Sequence, residues 1–148
     1  MTKNNTMKKI ILFAGILLTI ALSCHEKTEG YLITKNAAYV PDTMYVYKTP
    51  DPVTDALRIQ NKAPWVSIAM QGYEGTEEIY FTIESVTSTL GTEAIKTFRD
   101  EISIRGGGIL EYPLENNAQP GAYTISVRLT NPGYSQVVEN AITVIIVE

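Results

Sequence analysis

The side chains that most often run enzyme chemistry are scarce in this sequence. It holds one histidine and one cysteine, and these are neighbours, Cys24 and His25. A Ser-His-Asp or Cys-His relay needs an imidazole held against a nucleophile by a distant part of the fold, and a histidine-based zinc site needs further nitrogen or sulfur ligands. A single histidine beside Cys24 supplies neither. Paired carboxylates occur at Glu77-Glu78 and Asp100-Glu101. A glycosidase holds two such groups about 5 to 9.5 Å apart across a sugar, whereas adjacent residues of a strand point to opposite faces. Both pairs are therefore expected at solvated rims. Asp42, Asp51 and Asp55 could offer oxygens to calcium, which takes about six to eight of them, but their spacing matches no calcium loop. Aspartates flanking Pro50 and Pro52 are explained as turn formers that bond nearby backbone N–H groups. Gly106-Gly107-Gly108 could cradle an anion, yet no Lys-Ser/Thr follows as in a phosphate loop. The triplet is expected instead to supply positive φ or a bulge where two strands join. No catalytic residue, metal site or cofactor is expected.

Aromatic side chains are the other route to chemistry. The chain has nine tyrosines and one tryptophan, and carbohydrate binders stack sugar rings on exposed aromatic faces while a few polar groups fix the hydroxyls. Tyr73, in Gln71-Gly72-Tyr73-Glu74-Gly75, and Tyr134, after Asn131-Pro132-Gly133, sit in predicted turns where burial is not demanded. These two are the first candidates for a ligand-binding surface. Trp65 opens a strand whose own face also carries Ser67 and Ala69, so it is a third candidate, although a lone tryptophan in a sandwich is more often core. Tyr45 and Tyr47 share one face of an early strand and fit the core and an exposed aromatic ladder equally well. High β propensity and an amphipathic side chain account for tyrosine in strands without any ligand.

The N-terminus carries an address. Lys8-Lys9 precede a run of about 13 apolar or small residues at 10–22, the plan of a secretory signal whose apolar stretch is too short for a bilayer core of roughly 30 Å. Ala21-Leu22-Ser23-Cys24 resembles a bacterial lipobox, with alanine where leucine is usual. The resemblance implies cleavage after residue 23 and a diacylated Cys24 as the anchor. Residues 24–30 are then a polar tether and 31–148 the domain. Cleavage would leave nine basic residues against 16 acidic ones, a net charge of −7. That surface excludes a nucleic-acid partner, which needs basic patches to neutralise phosphates, and membrane attachment through clustered basic residues. Two acyl chains hold a protein at a membrane stably where one does not. With Cys24 spent on the anchor, no disulfide is available, and the domain must be held by its core.

The elements that would position these residues read as β throughout. Segments 43–47, 65–70, 79–86, 102–104, 109–112, 123–129 and 141–147 are rich in β-branched and aromatic residues. Tyr123, Ile125, Val127 and Leu129 alternate with Thr124, Ser126, Arg128 and Thr130, one face for a core and one for water. Turn residues separate the runs at 61–64, 72–75, 106–108, 116–121 and 131–133. Only 90–100 fits a short helix, with Thr92 as its cap. Seven strands at this spacing predict one all-β, immunoglobulin-like, mostly antiparallel β-sandwich.

Pro120-Gly121-Ala122-Tyr123-Thr124-Ile125-Ser126-Val127-Arg128-Leu129-Thr130-Asn131 resembles the penultimate strand of immunoglobulin-like domains in bacterial surface proteins, where a tyrosine near the strand start bonds back to the preceding loop. With 51–58, 65–72 and 105–108, the chain is similar to small cell-surface lipoproteins of Bacteroidota of the kind associated with starch-utilisation-type uptake systems. The acid-containing tether at 25–30 resembles the surface-export segment of such proteins. The resemblance implies an outer-membrane, surface-exposed lipoprotein rather than an enzyme. It would act as an accessory binding module for a glycan or for uptake proteins; a periplasm-facing attachment is the other orientation. A structural, adhesin-like subunit that assembles by strand pairing, with a labile first strand around 31–40, is the alternative expectation.

Overall fold

The computed structural model describes residues 30–148; the expected signal segment, the expected lipidation of Cys24 and nearly all of the expected tether lie outside the described residues. Among the described residues, nine strands and two α-helices follow one another: β1 (Leu32–Ile33), β2 (Thr43–Tyr47), α1 (Ala56–Asn61), β3 (Trp65–Val66), β4 (Glu74–Gly75), β5 (Tyr80–Thr87), α2 (Thr92–Glu101), β6 (Ser103–Arg105), β7 (Ile109–Tyr112), β8 (Gly121–Asn131) and β9 (Tyr134–Val147), with a 3-10 turn at Gly106–Gly108 between β6 and β7. The sheet β2-β9-β8-β5 and the sheet β3-β7-β6 form the sandwich, and β1 and β4 pair as a separate two-stranded ribbon. The seven sandwich strands match the expected all-β, immunoglobulin-like design. Their order also places the first strand of one sheet beside the last.

That placement corrects the antiparallel expectation at one pair. β2 runs parallel to β9, with Thr43 opposite Thr143 and Tyr47 opposite Val147. Nearly the whole domain lies between the two strands, so no hairpin ties their directions. The other sandwich pairs are antiparallel.

The inward residues of both sheets close one core. Met44, Val46, Tyr123, Ile125, Val127, Leu129, Ile142, Val144 and Ile146 meet Trp65, Leu110 and Tyr112. α2 completes this core by inserting Phe98, whose ring stacks 4.1 Å from Tyr123 and 4.9 Å from Tyr112. Phe98 is fully buried, and its truncation to alanine would cost about 3–5 kcal/mol. The Tyr123 hydroxyl donates to the Gln119 carbonyl at 2.8 Å, the corner bond that its position at the start of β8 implies.

Four local expectations change. Segment 65–70 keeps only two ladder residues, because the Ser67 hydroxyl takes the Leu110 N–H at 2.9 Å in place of a backbone carbonyl. Thr92 is the first helical residue and not the cap; Gly91, with φ of 94°, precedes it. A second helix, α1, follows the Asp51–Asp55 turn in a stretch where no element is expected. The last strand begins at Tyr134, not 141, because Pro132-Gly133 makes a two-residue connection with Gly133 at φ of 93°. Gly108 meets its expectation. Its φ is 71°, and a Cβ there would lie 3.0 Å from Phe81 and 3.1 Å from Met70. The 31–40 stretch is pinned by Tyr39, which is buried and donates to the Gly108 carbonyl.

Candidate functional site

β2 is an edge strand with two unlike faces. Met44 and Val46 turn into the core, while Tyr45 and Tyr47 stand outward at 51% and 40% exposure. Period 2 puts both tyrosines on one face, and their rings stack with centroids 6.4 Å apart and planes at 22°. The row continues onto the facing sheet. Tyr47 lies 5.5 Å from the Trp65 ring at 53°, and the Arg58 guanidinium carbon sits 4.1 Å over that ring.

Each member is placed by its local sequence. Pro64 ends the linker after α1 and Trp65 starts β3 opposite Tyr112, which turns the indole inward. Trp65 is 7% exposed, the floor of the row and not its surface. Arg58 reaches it from α1, with Asp55 at 3.6 Å and the Pro64 carbonyl accepting from its Nη1. The turn before α1 is tied by Asp51, whose Oδ1 accepts from the Val53 and Thr54 N–H groups at 2.8 Å each. Those two bonds hold the Asp51 carboxyl below its ordinary range. Asp51 Oδ1, and Asp55 Oδ2, which accepts the Asp51 N–H at 3.1 Å, are thus spent on backbone. Two donors at the indole end, Trp65 Nε1 and Arg58 Nε, are buried without a hydrogen-bond partner.

Beside the tyrosines, the sandwich edge is hollow. A groove of about 210 Å³ runs between β2 and the segment after β3, with Tyr45, Val66, Ile68 and Ile142 among its walls. A wider pocket of about 440 Å³ adjoins it between residues 37–42 and 138–141. Flat, exposed rings beside a partly apolar groove can take the C–H faces of a sugar or an apolar chain, with hydroxyl tips left for polar contacts.

The remaining candidates are scattered. Tyr73 is half-buried and packs edge-on against Phe81 at 5.2 Å and 74°. Tyr134 is half-buried at the first position of β9, opposite Asn131, whereas β2 and its tyrosines pair with the last five residues of that strand. Neither joins Trp65. Glu101, expected at a solvated rim, is half-buried and structural: it accepts from the Tyr112 hydroxyl at 2.6 Å and from the Asn117 N–H and side-chain amide at 2.8 and 2.9 Å. Asp100 stays exposed and pairs with Lys96. Glu78 accepts from the Tyr80 hydroxyl. Among the described residues, no group of three or more His, Cys, Asp or Glu is gathered as for a metal ion. Arg58 and the pocket beside Asp42 went unread in the sequence. The only signal for Arg58 was its place in a turn-rich stretch just before Trp65, and the pocket joins residues about 100 positions apart.

No protein-family model matches the sequence, and no curated protein matches it either. Among solved structures, the fold is similar to a SusE-like, surface-located polysaccharide binding protein from the Bacteroides thetaiotaomicron heparin utilisation locus, at 14% identity and a TM-score of 0.49. The match covers 80% of this chain and 15% of that one, so the chain spans about a seventh of that protein's length.

Proposed function

We propose that the protein is a non-enzymatic, lipid-anchored accessory module of the cell surface that binds glycan on the outward pair Tyr45 and Tyr47, with Trp65 as the floor beneath them. The observation that carries this reading is the stacked, outward pair Tyr45 and Tyr47 beside an open groove. Nothing in core packing asks for two adjacent tyrosines on the outer face of an edge strand. Their exposure is what a stacking platform requires. Tyr73 and Tyr134 stay in the proposal as flanking contacts for a long glycan. The anchor is Cys24, and the acidic tether carries the module to the outer surface, near uptake proteins that take up what it captures.

Full-length protein in a detergent without a sugar headgroup, run through gels that contain polysaccharide, tests the binding. Retardation by at least one glycan, lowered about tenfold in affinity by Tyr45→Ala with an unchanged melting temperature, is the expected result. Free migration across a broad panel would sink the glycan reading. Protease treatment of intact cells, with and without Cys24→Ala, tests the address: native protein should be cut without lysis, and the variant should leave the membrane fraction.

A second reading, assembly by strand pairing, draws on the open edge of β2, the terminal strand of its sheet. It requires oligomers that grow with concentration.

A further inference from the structure

We infer that the site extends past the tyrosines along the sandwich edge into the pocket walled by Asp42, Glu139 and Asn140, and that its ligand is an uncharged, hydroxyl-rich oligosaccharide several units long. This rests on the glycan reading of the aromatic row and specifies which glycans it takes. The two hollows are neighbours: Pro41 lines both, Asp42 and Thr43 fall on either side of the division, and so do Ala141 and Ile142. From Asp42 to Tyr47 the chain advances five residues, about 17 Å at strand spacing. That is longer than one sugar ring, so a single unit cannot span from the pocket to the tyrosines.

The charge of the walls sets the ligand class. Neither hollow is lined by a lysine or an arginine, and the wider one carries the carboxylates of Asp42 and Glu139. Three basic side chains of this part of the fold are engaged, the first being Arg128 on the strand beside Glu139, which is held by Glu84 at 2.6 Å. Arg58 lies on Trp65 beside Asp55, and Lys48 donates to the Ala118 carbonyl at 3.0 Å. Residues 30–148 hold eight basic against 14 acidic residues, so the surrounding field is negative as well. Sulfate, phosphate or uronate would meet like charge, with no cation in either lining to offset it. Neutral hydroxyls are donors, and a carboxylate is an acceptor with room for several of them.

The pocket is also partly set in place. Glu139 Oε2 accepts from the Ser126 hydroxyl at 3.0 Å, and the Ser126 Oγ accepts the Asn140 N–H at 3.0 Å. Both residues sit where β8 and β9 shift register, and Asn140 has φ of 49°. That bulge lifts 139 and 140 out of the ladder and presents them beside Asp42, whose carbonyl accepts the Thr143 N–H at 2.9 Å. A carboxylate held by one oxygen keeps the other for a ligand.

Calorimetric titration of the full-length protein, in the same sugar-free detergent, compares neutral glucan, mannan and xylan fragments of one to eight units with heparin and polygalacturonate fragments. A neutral series should bind, tighten at least tenfold with chain length, and keep its affinity in added salt. Asp42→Asn and Glu139→Gln together should weaken it about tenfold; Asp42→Asn alone serves if the pair does not fold. Equal or tighter binding of an anionic fragment overturns the inference and leaves the glycan reading in place. So does a neutral fragment whose affinity ignores Asp42→Asn yet is lost in Tyr45→Ala. Absence of heat with every fragment overturns both.

Discussion

Glu101 shows how one side chain can fix a corner of the sandwich. Its carboxylate gathers the Tyr112 hydroxyl from β7 and two donors of Asn117 from the loop before β8. Burial pushes the Tyr112 phenol well above its ordinary value, and the bond to Glu101 adds to the effect. The hydroxyl is therefore a donor that cannot turn to water if its acceptor is removed. A buried donor left unpaired costs about 1–3 kcal/mol, whereas deleting both partners leaves nothing unpaired at that position. Glu101→Ala is expected to destabilise the fold by about 2 kcal/mol, and Tyr112→Phe by less. In the double variant the two losses should fall short of their sum by about 1 kcal/mol, measured by denaturant unfolding of all four proteins. Strict additivity would mean that the bond contributes nothing.

At the scale of elements, what the sequence could reveal depended on how local the cause was. β8 was legible because Tyr123, Ile125, Val127 and Leu129 alternate with polar residues and the pattern continues into its buried face. β7 was legible because Gly108 and Pro113 bound it on both sides. β3 was not, since its early end depends on a contact with a residue 43 positions away. The Ser67 hydroxyl accepts the Leu110 N–H while the Ser67 N–H donates to the Leu110 carbonyl, so side chain and backbone together replace the next ladder step. Removing that acceptor in Ser67→Ala should cost about 1 kcal/mol and raise the exchange rate of the Leu110 amide specifically, as read by hydrogen exchange. An unchanged Leu110 amide would show that the strand continues without the hydroxyl. The candidate site was half legible for a related reason. Alternation puts Tyr45 and Tyr47 together on a face, but only the pairing of β2 with β9 decides that Met44 and Val46 take the core and the tyrosines take the outside. Trp65, a ligand-binding candidate whose burial the alternation leaves ambiguous, is turned inward by the pairing of β3 with β7, and Arg58 above it follows from α1, a six-residue helix with no buried residue and hence no apolar stripe to read.

Over the whole molecule, three buried tyrosines brace the core in a way that pH should reveal. Tyr39, Tyr112 and Tyr123 are essentially closed to solvent and tie distant segments through their hydroxyls to Gly108, Glu101 and Gln119. Burial raises all three phenols above the ordinary value. Tyr45 and Tyr47 stand outward. A phenol whose folded-state value is raised binds its proton more tightly in the folded chain than in the unfolded one. Its contribution is complete below the unfolded value of about 10 and is lost as pH rises from there toward the folded value. The fold should therefore keep a constant melting temperature through neutral pH as far as these groups are concerned, then lose it steeply above about pH 10. The three buried phenols should ionise only as the sandwich unfolds. Tyrosinate absorbance followed alongside circular dichroism shows whether their ionisation and the loss of structure coincide. A single smooth titration of all nine tyrosines with the dichroism unchanged would contradict a core braced by buried phenols. Tyr39→Phe sharpens the test because it deletes one of the three ionisations: the variant starts less stable at neutral pH, having lost the bond to Gly108, but its melting temperature should fall less steeply above pH 10 than that of the native chain.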